Sequence, residues 1–377
     1  MKIVIAPDSF KESMTAIQCA DAIERGIMQT SSNHEIIKVP MADGGEGTVP
    51  ALMNSLGGRA VNHEVTGPLG NRISASYGMV DDKIALIEMA AAAGLDLLSP
   101  DKRNPMKTTT YGVGELIIHA LGCGVRHFII GLGGSATNDG GIGMLQALGF
   151  DITGLDHQQV PFGGEGLLQI EHISTDRIDP RLKGCVFEVA CDVTNPLTGE
   201  YGATNVYGPQ KGADVQMLKR LDEAMYKYGK IIEQEFKKPV LHLEGAGAAG
   251  GLGAAFSAFL GAELKKGIEI VMDISKLADE IKAADLVITG EGKIDQQTLN
   301  GKTPIGIARI AKTYSVPVIV IGGSVQITQE VLANEGVTAL FSIADGPMTL
   351  NEALAKGEEL IEQLTRNLFL LMDVRNK

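Results

Sequence analysis

The chain has 377 residues, 44% of them apolar, and contains no tryptophan, which fits a two-domain α/β protein. Its formal net charge of −13 argues against nucleic-acid binding, because that affinity depends on many Lys and Arg contacts. The cysteines show no CxxC spacing, and neither a secretory signal pattern nor a bilayer-spanning apolar stretch is found. We therefore expect a cytoplasmic protein that binds neither nucleic acid nor membranes.

The first sixty residues alternate between strand and helix patterns. KIVIA is an apolar strand, and a helix is expected from about Ser13 to Met28, with Thr15 and Gln18 at capping-box spacing near its start. EIIKVPM gives a second strand and TVPALMNSLG a short helix. The last hundred residues repeat the alternation with the runs DLVIT, VPVIVIGG and TALFSIA and a final amphipathic helix. This order predicts a parallel sheet covered on both faces.

The middle of the chain has a different pattern. From about Val61 to Met89, short strands separated by turn signals predict antiparallel pairing. A βα unit follows around HFIIGLGG, then an irregular region from 151 to 213, then helices from Leu218 to Phe236 and across GLGAAFSAFLGAELKKG. We therefore expect an α/β fold with two α/β domains. A Rossmann-like parallel-sheet domain occupies 1–62 and 276–377, and a mixed α/β domain is inserted at 63–275.

Four glycine-rich segments each carry an acid, an amide or a cation. They read MADGGEGT (41–48), GLGGSATNDGG (131–141), EGAGAAGGLGA (244–254) and TGEGKIDQQT (289–298). Glycine lets backbone N–H groups approach an anion closely, because no Cβ intervenes. Any one segment could serve only a turn between strand and helix, but four in one chain predict a large polyanionic ligand.

The first predicted strand ends in APDSFKES, which contains Asp8, Ser9 and Lys11. In open parallel sheets, ligands bind outside the carboxyl ends of the strands. These three residues are therefore candidates for binding substrate or phosphate. The alternative is an Asx or Ser turn followed by a solvated lysine.

The second predicted strand ends in MADGGEGT, at the same edge of the sheet. Asp43 and Glu46 flank Gly44 and Gly45, and one carboxylate plus waters is how Mg²⁺ is usually held. The alternative is that Asp43 only caps the helix that follows.

The segment TGEGKIDQQT follows the run DLVIT. A lysine between two acids, Lys293 between Glu291 and Asp295, could neutralise phosphate charge while the acids organise a metal ion. A solvated turn is the alternative. The nearby GKT at 301–303 resembles the end of a P-loop, but Gln296 stands where that motif needs glycine, so a Walker-type NTPase is rejected.

The segment GLGGSATNDGG follows the run HFIIG. Gly131, Gly133 and Ala136 match the relaxed GxGxxA dinucleotide pattern, and Gly245, Gly247 and Gly250 match GxGxxG, which is weak in so glycine-rich a chain. The polar SATND stretch stands where a helix begins and predicts a phosphate loop. A tight turn before a capped helix is the alternative.

Two further polar segments lie in the irregular region. Asp192 follows the strand-like run VFEVA and is a candidate general base or metal ligand, or equally a turn-forming residue. GPQKGA contributes Lys211. The seven histidines lack zinc-site spacing, and no GxSxG motif is present.

Taken together, the chain resembles the class I family of bacterial glycerate kinases. The resemblance lies in APDSFKES, MADGGEGT, GLGGSATNDGG, CDVTNPLTGEYGA, QKGA and TGEGKIDQQT with the following GKTP, in the family's order. It implies phosphorylation of D-glycerate by ATP with Mg²⁺, usually to 2-phosphoglycerate. It also implies two α/β domains with the active site in the cleft between them.

We hypothesise catalytic, metal-binding and substrate-binding roles for these residues. Asp192 or Asp43 would act as base, Lys11 or Lys293 would stabilise charge, and Mg²⁺ would be held by Glu46, Glu291 and Asp295. Substrate or phosphate would be bound by Asp8, Ser9, Gly44, Gly45, Gly133, Gly134, Ser135, Asn138, Asp139, Lys211, Gly290 and Gly292. A kinase of a related hydroxy acid such as tartronate or erythronate, a nicotinamide-dependent oxidoreductase and a non-catalytic sensor are the alternatives. A homo-oligomer is left open.

Overall fold

The strands and helices are those of a computed structural model that describes residues 1–31, 33–41, 49, 52–53, 56–300 and 302–374. The strands in this part of the chain are β1 (Lys2–Ile5), β2 (Glu35–Lys38), β3 (Arg59–Thr66), β4 (Arg72–Val80), β5 (Ile84–Glu88), β6 (His127–Gly131), β7 (Asp151–Thr153), β8 (His172–Ser174), β9 (Val186–Ala190), β10 (Glu263–Lys265), β11 (Leu286–Ile294), β12 (Val318–Val325) and β13 (Ala339–Ser342).

The α-helices of the described residues are α1 (Ala16–Met28), α2 (Ala90–Ala93), α3 (Tyr111–Gly122), α4 (Ile142–Ala147), α5 (Gly164–Leu167), α6 (Ala203–Tyr207), α7 (Val215–Glu235), α8 (Ala248–Leu260), α9 (Gly267–Ile274), α10 (Leu277–Lys282), α11 (Thr303–Thr313), α12 (Gln329–Ala333), α13 (Leu350–Ala355) and α14 (Gly357–Val374). Short 3₁₀ turns occur at Leu95–Leu97, Pro100–Lys102, Pro180–Leu182, Pro209–Lys211 and Thr298–Asn300.

The chain divides into two compact units. The first contains the described residues up to Met41 and those from Ile268 onward, and the second contains Gly57–Gly267. We propose that the second unit is a domain inserted into the first.

The first unit is built on a parallel sheet with the strand order β13-β12-β11-β1-β2. Residues 3–5 of β1 and 286–288 of β11 are apolar and buried, as is usual for parallel sheets with both faces covered. Helix α1 begins with the expected capping box of Thr15 and Gln18. It lies against α14 so closely that a Cβ on Gly26 would be 2.5 Å from the carbonyl oxygen of Glu362.

The second unit is built on a mixed sheet with the strand order β10-β9-β6-β5-β4-β3. Strands β3, β4 and β5 pair antiparallel, as the turn signals predicted, and β5, β6, β9 and β10 pair parallel. A separate two-stranded antiparallel sheet is formed by β7 and β8. The parallel strands therefore direct the segments after β6 and β9 to one edge of this sheet.

The predicted α/β class is confirmed, and two details of the prediction are wrong. Strand β11 does not end at DLVIT but continues through TGEGKI to Ile294, pairing with β12. The helix expected across GLGAAFSAFLGAELKKG ends at Leu260, because Gly261 adopts a left-handed conformation (φ 63°) and the chain continues into β10. Among the described residues, no helix has both the length and the apolar character that crossing a membrane requires.

Candidate active site

A cavity of about 370 Å³ opens in the second unit at the carboxyl ends of β6 and β9. We call it the β6–β9 cavity. Its wall includes Gly133, Gly134, Ser135, Asp192, Lys211 and Ala249. The cavity thus joins the GLGGSATNDGG segment to two of the isolated polar residues that the sequence singled out.

Lys211 is the cation of this cavity, and it is only 1% exposed. Its Nζ donates to Ser135 Oγ at 2.8 Å and to the carbonyl oxygen of Thr137 at 2.7 Å, both neutral acceptors. Burial lowers the pKa of Lys211 to about 7, and the charge of Asp139 opposes this lowering. An anion in the cavity would therefore stabilise the charged form of a lysine whose own surroundings favour it only weakly.

Asp139 and Asn138, predicted to contact a ligand, are fully buried. Asn138 Nδ2 donates to Thr204 Oγ1 at 2.9 Å, while its Oδ1 has no hydrogen-bond partner among the described residues. Asp139 accepts from the backbone N–H and hydroxyl of Thr110, both at 2.9 Å, and from the N–H groups of Gly141 and Gly143 at 3.1 and 3.4 Å. Burial raises the pKa of Asp139, while these bonds oppose the rise. The carboxylate therefore holds the loop in place. Its partner Thr110 was not predicted, because nothing in the sequence around Thr110 points to this contact.

Asp192 lies two residues after the end of β9, is exposed and belongs to the cavity wall. Its Oδ1 accepts from the N–H of Gly267 at 3.2 Å, which fixes the carboxylate at the cavity rim. The neighbouring Cys191 also lines the cavity, but burial raises the pKa of its thiol to about 11, so it stays protonated near neutral pH. The carboxylate of Asp192 is thus an oxygen acceptor in the wall of the cavity.

The segment EGAGAAGGLGA packs against GLGGSATNDGG. Ala249, Gly250 and Gly251 are successive left-handed residues, and a Cβ on Gly250 would collide with the carbonyl oxygen of Thr137. The match of Gly250 to a dinucleotide pattern is thereby explained by close backbone contact between two loops, without a bound dinucleotide.

In the first unit, two carboxylates lie near the carboxyl ends of β1 and β11. Asp8 is 7% exposed and accepts from the N–H of Ser9 at 2.6 Å and from Thr303 Oγ1 at 2.7 Å. Glu291 is 8% exposed, and its Oε1 accepts from Thr298 Oγ1 at 2.7 Å. Burial raises the pKa of Glu291, and the charge of Asp8 adds to the rise. The two acids are thus electrostatically coupled.

The lysines near these acids differ in the acid with which each one pairs. Lys302 Nζ lies 3.6 Å from Glu291 Oε2, whereas the exposed Lys293 pairs with Asp295 Oδ2 at 2.9 Å. The hydrogen bond from Lys293 lowers the pKa of Asp295. Lys11 is exposed. Lys302 was not among the predicted site residues, although its GKTP segment was part of the family resemblance.

At both glycines of β11, neighbouring backbone leaves little space for a side chain. A Cβ on Gly290 would collide with the carbonyl oxygen of Ile321 in β12, and a Cβ on Gly292 would lie 3.3 Å from the N atom of Lys11. Gly290, predicted to bind phosphate, is therefore required by strand packing.

The prediction for MADGGEGT cannot be compared with geometry, because Asp43, Gly44, Gly45 and Glu46 lie outside the described residues. Within the described ranges, no group of three or more His, Cys, Asp or Glu side chains is arranged to hold a metal ion. The three-acid Mg²⁺ set that includes Glu46 stays a prediction.

Comparison with known proteins identifies the family. Residues 3–373 match the model of the glycerate kinase family. The chain is 50% identical to a glycerate kinase of Halalkalibacterium halodurans over 97% of both chains, and 49% identical to glycerate 2-kinase of Escherichia coli over 98% of this chain and 97% of that one. A crystal structure described as a glycerate kinase 2 from Salmonella typhimurium LT2 superposes with a TM-score of 0.90 at 50% identity, covering 100% of this chain and 99% of the other. The resemblance seen in the motifs and the expected kinase class are confirmed: the chain belongs to the glycerate kinase family.

Proposed function

We propose that this protein transfers the γ-phosphoryl group of ATP to D-glycerate, uses Mg²⁺ and releases 2-phosphoglycerate. The observation that carries the proposal is the buried Lys211 in a cavity that also contains the carboxylate of Asp192. Such a cavity supplies a cation for the carboxylate of a small acid and an acceptor for its hydroxyl. The name of the Escherichia coli relative, glycerate 2-kinase, supports the position of transfer.

Lys211 is proposed to bind the carboxylate of glycerate. An ammonium group has three N–H donors, and Ser135 and Thr137 accept from two of them. A carboxylate on the third would give a charge-assisted hydrogen bond in a site shielded from water. The backbone of Gly133 and Gly134 in the same wall leaves room for a close approach.

Asp192 is proposed to orient the 2-hydroxyl of glycerate and to take its proton. The hydroxyl oxygen forms a bond to the γ-phosphorus while the bond from that phosphorus to the bridging oxygen of ADP breaks in line. The hydroxyl proton passes to the Asp192 carboxylate, and ADP keeps the electron pair of the broken bond. Asp43, the alternative base, lies outside the described residues.

The acids and lysines of the first unit are proposed to serve the nucleotide. Glu291 and Asp295 offer the hard oxygen donors that Mg²⁺ prefers, and one or two carboxylates with waters are enough to hold it. The ion would offset negative charge on the phosphates. Lys11 or Lys293 would stabilise the transferring phosphoryl group, with Asp8 and Ser9 beside it.

The test is incubation of the protein with ATP, Mg²⁺ and D-glycerate, followed by ³¹P NMR of the product. We expect 2-phosphoglycerate and ADP in equal amounts and no turnover without Mg²⁺. Formation of 3-phosphoglycerate would refute the position of transfer. Faster turnover of tartronate or erythronate than of glycerate would refute the substrate and favour the related-acid kinase.

The base assignment has its own test. Asp192→Asn and Asp43→Asn are compared in kcat and in KM for glycerate and ATP. We expect a fall in kcat of about 100-fold or more for the true base, since general base catalysis contributes on the order of 10²–10⁴. If both variants keep kcat within a few-fold of the wild type, neither residue is the base.

We also propose a cytoplasmic location. All four cysteines are free in the structure, and burial raises the pKa of the Cys19 and Cys191 thiols. Reduced, unpaired thiols are typical of proteins in reducing compartments. Cell fractionation with antibody detection tests this location, and recovery in an extracytoplasmic fraction would refute it.

A further inference from the structure

Helix α6 is bonded to the segments that form the β6–β9 cavity. It is five residues long, and Thr204 and Tyr207, three positions apart, lie on the same side of it. Thr204 is fully buried, whereas Tyr207 forms part of the cavity wall. Neither residue was selected from the sequence, and the proposed function gives neither of them a role.

The hydroxyl of Thr204 connects α6 to the GLGGSATNDGG segment. Its Oγ1 accepts from Nδ2 of Asn138 at 2.9 Å, and both side chains are fully buried. The other polar atom of this amide, Oδ1, has no hydrogen-bond partner among the described residues. A buried donor that loses its acceptor is costly, because no water replaces the acceptor. The bond therefore holds the segment against α6.

The backbone of Thr204 connects the same helix to Lys211. The carbonyl oxygen of Thr204 accepts from the N–H of Gly208 at 2.8 Å, and the carbonyl oxygen of Gly208 accepts from the N–H of Lys211 at 3.0 Å. A Cβ on Gly208 would lie 2.4 Å from the Thr204 carbonyl oxygen, so the turn packs tightly on the helix. Thr204 is thus bonded both to the segment that contains the acceptors of the lysine and to the turn that carries the lysine.

Tyr207 makes a corresponding connection to the segment of Asp192. Its hydroxyl donates to Oδ1 of Asn195 at 2.7 Å, three residues after Asp192. Helix α6 therefore has hydrogen bonds to the segments on both sides of the cavity.

We propose that Thr204 is a positioning residue of the reaction and acts through the ammonium group of Lys211. By holding Asn138, it fixes the nearby Ser135 and Thr137, whose oxygens accept from Nζ at 2.8 and 2.7 Å. Two such bonds set the direction of the third N–H of an ammonium group. This inference rests on the proposed function, in which that third N–H binds the carboxylate of glycerate.

The experiment breaks the bond between Asn138 and Thr204 from either side. Thr204→Val and Asn138→Leu each replace one partner by an apolar group of similar shape, and Thr204→Ser keeps the hydroxyl. Thr365→Val is the matched control, because Thr365 is equally buried and its hydroxyl donates to the carbonyl oxygen of Ile361 within α14. For each protein, kcat, KM for D-glycerate, KM for ATP and Tm are measured.

We expect Thr204→Val and Asn138→Leu to lower kcat/KM for glycerate by about tenfold, because the lysine is present but its acceptors are displaced. KM for ATP should not change, and Thr204→Ser should stay within twofold of the wild type. Thr365→Val should lower Tm as Thr204→Val does, yet keep kcat/KM within twofold of the wild type. This comparison separates a loss of positioning from a loss of stability.

A double-mutant cycle with Lys211→Met tests whether Thr204 acts through the lysine. In the Lys211→Met protein, Thr204→Val should change kcat/KM for glycerate by less than twofold, because no ammonium group is left to position. A further fall of about tenfold in that background would overturn the proposal, since the effect of Thr204 would then be independent of the lysine.

The proposal is also overturned if either Thr204→Val or Asn138→Leu folds and keeps kcat/KM for glycerate within twofold of an active wild type. A wild-type protein that does not phosphorylate glycerate at all would instead refute the proposed function, and this inference with it.

Discussion

Replacing Lys211 with methionine tests how the β6–β9 cavity recognises an anion. Methionine has a similar length and fills the same buried space, but it carries neither a charge nor an N–H donor. The variant therefore removes the proposed carboxylate partner with little change in packing volume. Because Lys211 is 1% exposed, water cannot replace the lost ammonium as it would at a surface site.

The size of the effect follows from the burial of the site. Removing one partner of a buried ion pair costs about 3–5 kcal/mol, because the remaining charge is left without compensation. A loss of about 3 kcal/mol corresponds to a fall in kcat/KM for glycerate of roughly 100-fold. Stability should change little, since methionine removes a cation that is costly to bury, while Ser135 Oγ and the Thr137 carbonyl lose a donor. We expect Tm within roughly 4 °C of the wild type.

The assay is a coupled measurement of ADP formation over a range of glycerate concentrations. Lys219→Met is the control, because Lys219 is exposed in the same unit and should tolerate the same substitution without effect. We expect the fall in kcat/KM to be specific to glycerate, with KM for ATP unchanged. A Lys211→Met protein that keeps kcat/KM within threefold of the wild type would show that the carboxylate binds elsewhere.

The same lysine predicts a pH dependence. Its pKa is lowered to about 7 by burial, so above pH 7 the unliganded protein holds Lys211 increasingly in the neutral form. The wild-type kcat/KM for glycerate should therefore fall by up to tenfold per unit as pH rises above 7, whereas kcat falls less because a bound carboxylate raises the pKa. Lys211→Met should lack this decline, and an equal decline in both proteins would assign it to another group.

Three further substitutions test the loops and the nucleotide side. Gly250→Ala should lower Tm at least twice as much as Gly261→Ala, because Gly261 is also left-handed but has no atom within 4 Å of an added Cβ; equal shifts in thermal unfolding would refute the close packing. Asp139→Asn should destabilise the protein by about 2 kcal/mol, because an amide cannot accept from all the donors that the carboxylate serves. That corresponds to a fall in Tm of roughly 4–8 °C, and an unchanged Tm would contradict it. Glu291→Gln should raise the Mg²⁺ concentration that gives half-maximal rate by about tenfold, since a neutral oxygen is a weaker ligand. The control is Glu330→Gln at an exposed position, which should leave this Mg²⁺ concentration unchanged.

Regular periodicity predicted the fold well where local signals decide structure. The capping box of Thr15 and the antiparallel strands before Met89 follow from residues close together in the chain. The end of β11 does not follow from nearby residues, because glycine was taken to stop the strand after DLVIT. Gly290 and Gly292 instead allow the strand to continue against the backbones of β12 and of the segment around Phe10, contacts with residues distant in sequence.

Residues of the candidate site were selected from the sequence only where a charged side chain was itself the signal. Lys211 and Asp192 were both selected from the sequence, yet the burial that sets the lysine's pKa arises from packing with residues 135–139, more than seventy positions away. Thr303, in contrast, was not selected from the sequence. Its GKT motif was rejected because the P-loop spacing is wrong, but its hydroxyl donates to Asp8 Oδ2 across 295 positions of sequence.

The glycine-rich segments carry a more general lesson about what glycine indicates. Glycine was expected to bring backbone N–H groups to a polyanion, but Gly250 and Gly290 bring one part of the protein backbone against another. The contact at Gly250 supports the wall of the β6–β9 cavity beside Ala249 without contributing a charge to it. The charged side chains of the cavity come from Lys211 and Asp192, two single residues outside the glycine-rich segments. Glycine content therefore indicates where backbones meet, and the buried or fixed charge beside that meeting point marks the candidate binding site.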